Sequence, residues 1–111
     1  DEITNPPASF IKYAPISDLP HSIRDLSFSV KDFSKLNQLN DYILKFDDKL
    51  LKEVFVFDYF HNEKNKEVKI GFRFIFQAES STITETQVNN VINDIINNTT
   101  NINGITIPGL N

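Results

Sequence analysis

Apolar and polar side chains alternate from Arg24 to Val30. Leu26, Phe28 and Val30 point one way, and Asp25, Ser27 and Ser29 the other, which predicts a half-buried strand. Asp32 or Ser34 can then cap a helix, because either side chain can accept from the free N–H groups of a first turn. Leu36, Leu39, Ile43 and Phe46 follow at helical spacing and give that helix one apolar stripe. Leu50 to Phe60 is rich in Val, Phe and Tyr and predicts a second strand. The polar stretch from His61 to Glu67 predicts a hairpin loop, and Lys69 to Gln77 a third strand. In that third strand Phe72, Phe74 and Phe76 share one face, while Gly71, Arg73, Ile75 and Gln77 share the other. Thr84-Glu85-Thr86-Gln87 has the form of a capping box. The helix it opens carries Val88, Val91, Ile92, Ile95 and Ile96 on one side and is expected to dissolve from Asn97 to Asn103, where Asn, Thr and Gly104 favour a stop. Ile105-Thr106-Ile107, closed by Pro108, predicts a short last strand.

The resulting order is β-α-β-β-α-β. It predicts an α+β fold of the ferredoxin-like kind, a four-stranded antiparallel sheet with two helices on one face. The helices are expected to cover Phe28, Phe72, Phe74 and Phe76, leaving the face with Ser27, Phe57, Arg73 and Ile75 open. Upstream, Pro6, Pro7, Pro15 and Pro20 prevent a helix. Residues 1–19 are therefore expected to form an extended lead-in, pinned by Phe10, Tyr13 and Leu19, and residues 20–111 to form the domain.

Composition narrows the chemistry. The chain has 111 residues, enough for one domain with one modest core. Cysteine is absent, which excludes disulfides, thiolate chemistry and Cys-ligated zinc. His21 and His61 are far apart in sequence, and neither has a histidine partner at helical metal-ligand spacing. No apolar run approaches the ~20 residues that span a bilayer, so no membrane partner is expected. The opening Asp-Glu suggests a piece cut from a longer protein, with no leader peptide and no active site of its own. The net charge of −4 argues against strong non-specific nucleic-acid binding. The distribution matters more. All 11 basic residues lie between Lys12 and Arg73, so a phosphate-facing surface must come from the first two-thirds of the chain.

Four groups of side chains are candidates for binding. Phe55, Phe57 and Tyr59 alternate with Val54, Val56 and Asp58; if the valines face the helices, the aromatics lie on the open face. There they can stack unpaired bases, or dock against the lead-in or another domain. Arg73 sits mid-strand among apolar neighbours. It can stack on a base or fork to a phosphate, or it can pair with Asp25 or Asp58 across the sheet. Arg24 carries the same ambiguity and can simply fix the strand entry. Lys64, Lys66 and Lys69, interrupted by Glu63 and Glu67, make either a solvated loop or a phosphate-contacting finger. Asp58 has no base or metal partner near it in sequence, and Ser27 and Ser29 lack a nucleophile elbow, so catalysis is not expected. A free-standing hydrolase of this fold, of the acylphosphatase kind, would need an Arg-loop and Asn geometry that the sequence lacks.

Four segments, in order and at fitting spacing, resemble the ferredoxin-fold anticodon-binding domain that ends bacterial-type phenylalanyl-tRNA synthetase β chains. Pro20-His21-Ser22-Ile23-Arg24-Asp25-Leu26-Ser27-Phe28 is similar to the family's Pro-x-x-x-Arg-Asp-hydrophobic-x-Phe opening. Leu50 to Val54 with Val56 to Phe60 resembles its Leu-Leu-x-x-Val-x-Leu-Phe-Asp-x-Tyr strand. Gly71 to Gln77 looks like its Ala-Tyr-Arg-Leu-Thr-Phe-Gln strand, and Thr82-Ile83-Thr84 with Val88-Asn89 its Thr-Leu-Thr-x-x-x-Val-Asn helix start. Ser81 and the chain end depart from the pattern, because the family usually carries arginines there. Ser29 and Phe76-Gln77 resemble the bacterial or plastid β chain more than the single-chain mitochondrial enzyme.

The resemblance implies a tRNA-Phe anticodon-binding module, with RNA contacts at Arg24, Ser27, Phe55, Phe57, Tyr59, Lys69 and Arg73. It implies no cofactor in this fragment, ATP and Mg for the parent ligase, and an α chain as the parent's partner in an α2β2 assembly. The compartment implied is bacterial cytoplasm or plastid stroma. The alternative is a ferredoxin-like protein-interaction or small-ligand module with no RNA role, which the acidic pI of about 5.0 favours. A contiguous basic stripe across the open sheet would favour RNA; scattered charge would favour the alternative.

Overall fold

A computed structural model of the chain describes residues 21–78 and 82–108. Strand β1 (Ser22–Val30) leads through a 3-10 turn (Phe33–Lys35) into helix α1 (Leu36–Lys45). Strands β2 (Leu51–Asn62) and β3 (Glu67–Phe76) form a hairpin, followed by helix α2 (Glu85–Thr100) and strand β4 (Ile105–Thr106). The strands make one sheet in the order β2-β3-β1-β4, and every neighbouring pair is antiparallel. This is the expected ferredoxin-like α+β fold. The expected lead-in, with Phe10, Tyr13 and Leu19, lies outside the described residues.

Period-two alternation sends Leu26, Phe28 and Val30 to the helix side, opposite Phe72, Ile70 and Val68 of β3. Leu39, Ile43, Val88 and Ile95 come down from the helices, and all four are buried. Phe28 meets Phe72 edge-on at 5.9 Å, and Phe72, Phe74 and Phe76 follow one another at 6.4 Å along β3. Burying such a side chain stabilises the fold by about 1.5–3 kcal/mol, so the three β3 phenylalanines anchor the core.

Asp32 and Thr84 both cap, but Asp32 caps the 3-10 turn, and α1 itself starts after Lys35 with no side-chain cap. The Asp32 carboxylate accepts from the Ser34 hydroxyl at 2.7 Å and from the Ser34 N–H at 3.0 Å and opens the 3-10 turn, and those two bonds hold its pKa below the ordinary carboxylate value. At α2, Thr84 Oγ1 accepts from the Gln87 N–H at 3.2 Å, while Gln87 Oε1 accepts from the Thr84 N–H at 2.9 Å.

Several boundaries differ from expectation, and β1 already begins at Ser22. Helix α2 runs through the Asn- and Thr-rich stretch to Thr100. There the Thr99 and Thr100 hydroxyls donate back to the Ile95 and Ile96 carbonyls, and Asn98 donates to the Tyr42 hydroxyl of α1 at 3.0 Å. Tertiary packing thus outweighs weak local propensity. The hairpin loop is shorter than predicted, because Asn62 and Asn65 accept from the N–H groups two residues on and pull β2 and β3 closer to the turn. Strand β4 is two residues long and excludes Ile107.

Candidate nucleic-acid interface

The side of the sheet opposite the helices is assembled from every second residue of β1, β2 and β3. Register fixes its rows. Phe55 lies beside Arg73 and Asp25, and Gly71 beside Ser27. Phe60 lies beside Lys69 and Ser29.

Alternation in β2 breaks between Val56 and Asp58, where the strand carries an extra residue. Both Phe57 and Asp58 then lie against Gly71: a Cβ placed there would come within 2.8 Å of the Phe57 ring and 3.4 Å of the Asp58 Cβ. A bulge of this kind reverses the parity of everything after it. Tyr59 is turned to the helix side and packs against the core, and Phe60 takes a place on the open face. The expectation that Tyr59 shares a face with Phe55 and Phe57 is therefore corrected.

Phe57 is 40% exposed and Phe60 57% exposed. Without a side chain at Gly71, the Phe57 ring can lie flat on the sheet. The Arg73 guanidinium covers it at 4.9 Å from the ring centroid. Arg73 Nε and Nη2 donate to the two Asp25 carboxylate oxygens at 2.9 and 3.0 Å, a side-on fork that also raises the guanidinium pKa. Of the two roles open to Arg73 in the sequence, pairing with Asp25 is realised. Three of its five N–H donors stay outside that pair.

Arg24 is not part of this face. It lies opposite Phe74 on the helix side, and its Nη2 donates to Glu85 Oε2 at 3.1 Å and Asn89 Oδ1 at 3.5 Å on α2. The alternation itself carried that signal, since Arg24 has the parity of Leu26. Of the seven sequence-derived candidates, the fold brings together Ser27, Phe55, Phe57, Lys69 and Arg73, and separates Arg24 and Tyr59. Phe60 was missed. Its signal was Gly71, since an isolated glycine in a strand marks a bulge or a close approach.

Charge on this face is net negative. Arg73 and Lys69 share it with Asp25, Glu53, Asp58 and Glu67, so the described residues form no contiguous basic stripe. Towards the hairpin, the buried Glu67 accepts from the Ser29 hydroxyl, and Lys31 Nζ lies 3.8 Å away. The Ser29 hydrogen bond, aided by Lys31 and Lys69, holds Glu67 below its ordinary pKa against the opposing effect of burial. Among the described residues no group of three or more His, Asp or Glu could hold a metal, and no helix is long and apolar enough to cross a membrane. A shallow depression lined by Tyr42, Phe46 and Asn98 lies between the helices, on the other side of the sheet.

Comparison with known proteins matches residues 17–107 to the family model of the ferredoxin-fold anticodon binding domain. The phenylalanine–tRNA ligase beta subunit of Rickettsia prowazekii (strain Madrid E) is 34% identical over 83 residues, 73% of this chain and 10% of that protein. The beta subunit of Rickettsia bellii (strain RML369-C) is 32% identical over 103 residues, 86% of this chain and 12% of that protein. The chloroplastic beta subunit of Gracilaria tenuistipitata var. liui is 26% identical over 87 residues, covering 75% and 12% respectively. The chain thus spans about a tenth of the length of these curated relatives.

Proposed function

The chain belongs to the ferredoxin-fold anticodon binding domain family, and from that premise we propose that its open sheet face holds unpaired nucleotides of the tRNA-Phe anticodon loop. The observation that carries this is the aromatic surface of Phe55, Phe57 and Phe60, with Gly71 letting Phe57 lie flat and Arg73 stacked above it. Bases stack on such rings for about 1–3 kcal/mol each, without needing a basic groove. Ser27 and the free N–H groups of Arg73 supply hydrogen bonds to base edges or phosphates.

In this proposal the chain, with the domain running from residue 20, is the C-terminal module of a phenylalanine–tRNA ligase β subunit. It positions tRNA while the catalytic site, with its ATP and Mg, sits elsewhere in an assembly with the α chain. The compartment would be bacterial cytoplasm or plastid stroma, following the relatives' sources. The net negative charge of the face is what favours the second possibility, a protein-interaction surface.

The test is an NMR titration of the chain with a tRNA-Phe anticodon stem-loop, beside a scrambled-loop control, at low salt. Loop-dependent shifts are expected on Ser27, Phe57 and Arg73. Phe57→Ala is expected to weaken binding about 5- to 150-fold with the fold retained, since the ring is partly exposed. Unchanged binding by that variant, or equal shifts with both loops, would overturn the assignment.

A further inference from the structure

One more aromatic surface lies at the hairpin end of the sheet, on the helix side. Phe33 in the 3-10 turn reaches past the start of β3 and stacks on His61 at the end of β2, with ring centroids 5.3 Å apart and planes 20° from parallel. Phe33 is 52% exposed, although burying a phenylalanine in the core would stabilise the chain. His61 is exposed as well.

Charge differs here from the rest of the molecule. Residues 31–35 and 61–67 carry Lys31, Lys35, Lys64 and Lys66 against Asp32, Glu63 and Glu67, a small positive excess in a chain whose net charge is −4. Lys31, Lys64 and Lys66 are exposed, and among the described residues no hydrogen bond or ion pair engages Lys64 or Lys66 through its side chain. The hairpin is fixed by its asparagines, with Asn62 Oδ1 accepting from the Lys64 N–H and Asn65 Oδ1 from the Glu67 N–H. The lysines are therefore held on an ordered turn. His61 follows Phe60 directly, so aromatic side chains face both sides of β2 at this end.

We propose that this end of the sheet is a second nucleotide contact: Phe33, backed by His61, stacks one unpaired base, and Lys31, Lys64 and Lys66 meet the adjoining phosphates. It rests on the open face being an RNA surface, and it supplies the positive charge that face lacks. A single strand leaving the open face over Phe60 passes round the end of β2 to reach it.

The experiment measures affinity for the tRNA-Phe anticodon stem-loop across a salt series, using the 111-residue chain and the variants Phe57→Ala, Phe33→Ala and Lys64→Ala/Lys66→Ala. Phe33→Ala is expected to weaken binding about 5-fold or more. The lysine pair is expected to flatten the slope of log K against log salt by roughly 1.4 for a single strand. If Phe33→Ala and the lysine variant both bind as the parent does while Phe57→Ala binds weakly, the second contact is overturned and the open-face assignment stands. If none of the three changes binding, both fall. Should Phe33→Ala fail to fold, the lysine variant alone decides, because those exposed side chains make no contact that the fold needs.

Discussion

At the scale of single residues, Gly71 is the position on which the open face depends. Its own backbone geometry requires no glycine; the requirement comes from the Phe57 ring, whose Cε1 and Cζ would lie 2.8 and 2.9 Å from an added Cβ. Contacts that short do not persist, so Gly71→Ala must displace the ring. The ring edge is the free end of a side chain facing solvent, so the fold can accept the change at a cost of about 1 kcal/mol. The stacking of Arg73 over Phe57 is lost at the same time, while the Asp25 fork remains. Gly71→Ala is therefore expected to shift the Phe57 ring and Arg73 Hε resonances and to weaken anticodon-loop binding several-fold. Circular dichroism should stay native. An unmoved Phe57 resonance would mean that the ring does not rest on Gly71.

At the scale of elements, both helices and the three long strands were legible because each has a clean period. Leu26, Phe28 and Val30 alternate, and Val88, Val91, Ile92 and Ile95 recur at helical spacing; all seven are buried. What was not legible was the break of period in β2. Alternation through Leu50–Phe60 is consistent with one uninterrupted strand, and only pairing with β3 shows that Phe57 and Asp58 share one partner. One unpaired residue moved Tyr59 off the face and brought Phe60 onto it. The Phe33–His61 stack was illegible for another reason, since it joins residues 28 positions apart through tertiary geometry alone. The capping box was legible, and its energetic weight can be tested. Helix α2 has no basic residue in its last turn and is rich in Asn and Thr, so it depends on its N-terminus and its packed face. Thr84→Ala removes the acceptor for the Gln87 N–H. The variant is expected to lose about 1 kcal/mol, seen as a fall in Tm of roughly 4 °C. An unchanged Tm would mean that packing of Val88 and Val91 alone fixes the helix start.

At the scale of the whole molecule, net charge and aromatic exposure point to one mode of binding. A protein that held RNA chiefly through phosphates would be basic, and its affinity would collapse with salt. This chain carries −4, its open face is net negative, and Lys64 and Lys66 stand exposed at the hairpin end while Lys45 and Lys49 lie at the other end of the sheet. Lys31, Lys64, Lys66 and Lys69 are the exposed lysines that border the proposed path, and Lys31 is partly committed to Glu67. Neutralising two to four phosphates of a single strand gives a slope of log K against log salt of about −1.4 to −2.8. Stacking persists at high salt, because it involves no counterions. The chain is therefore expected to bind the anticodon stem-loop weakly but with a shallow salt dependence, and to retain loop-dependent NMR shifts where a purely electrostatic complex would have dissociated. A slope steeper than about −4 would require more phosphate contacts than these lysines can supply. In that case the RNA must follow another surface, and the aromatic face would be free to serve as a protein contact.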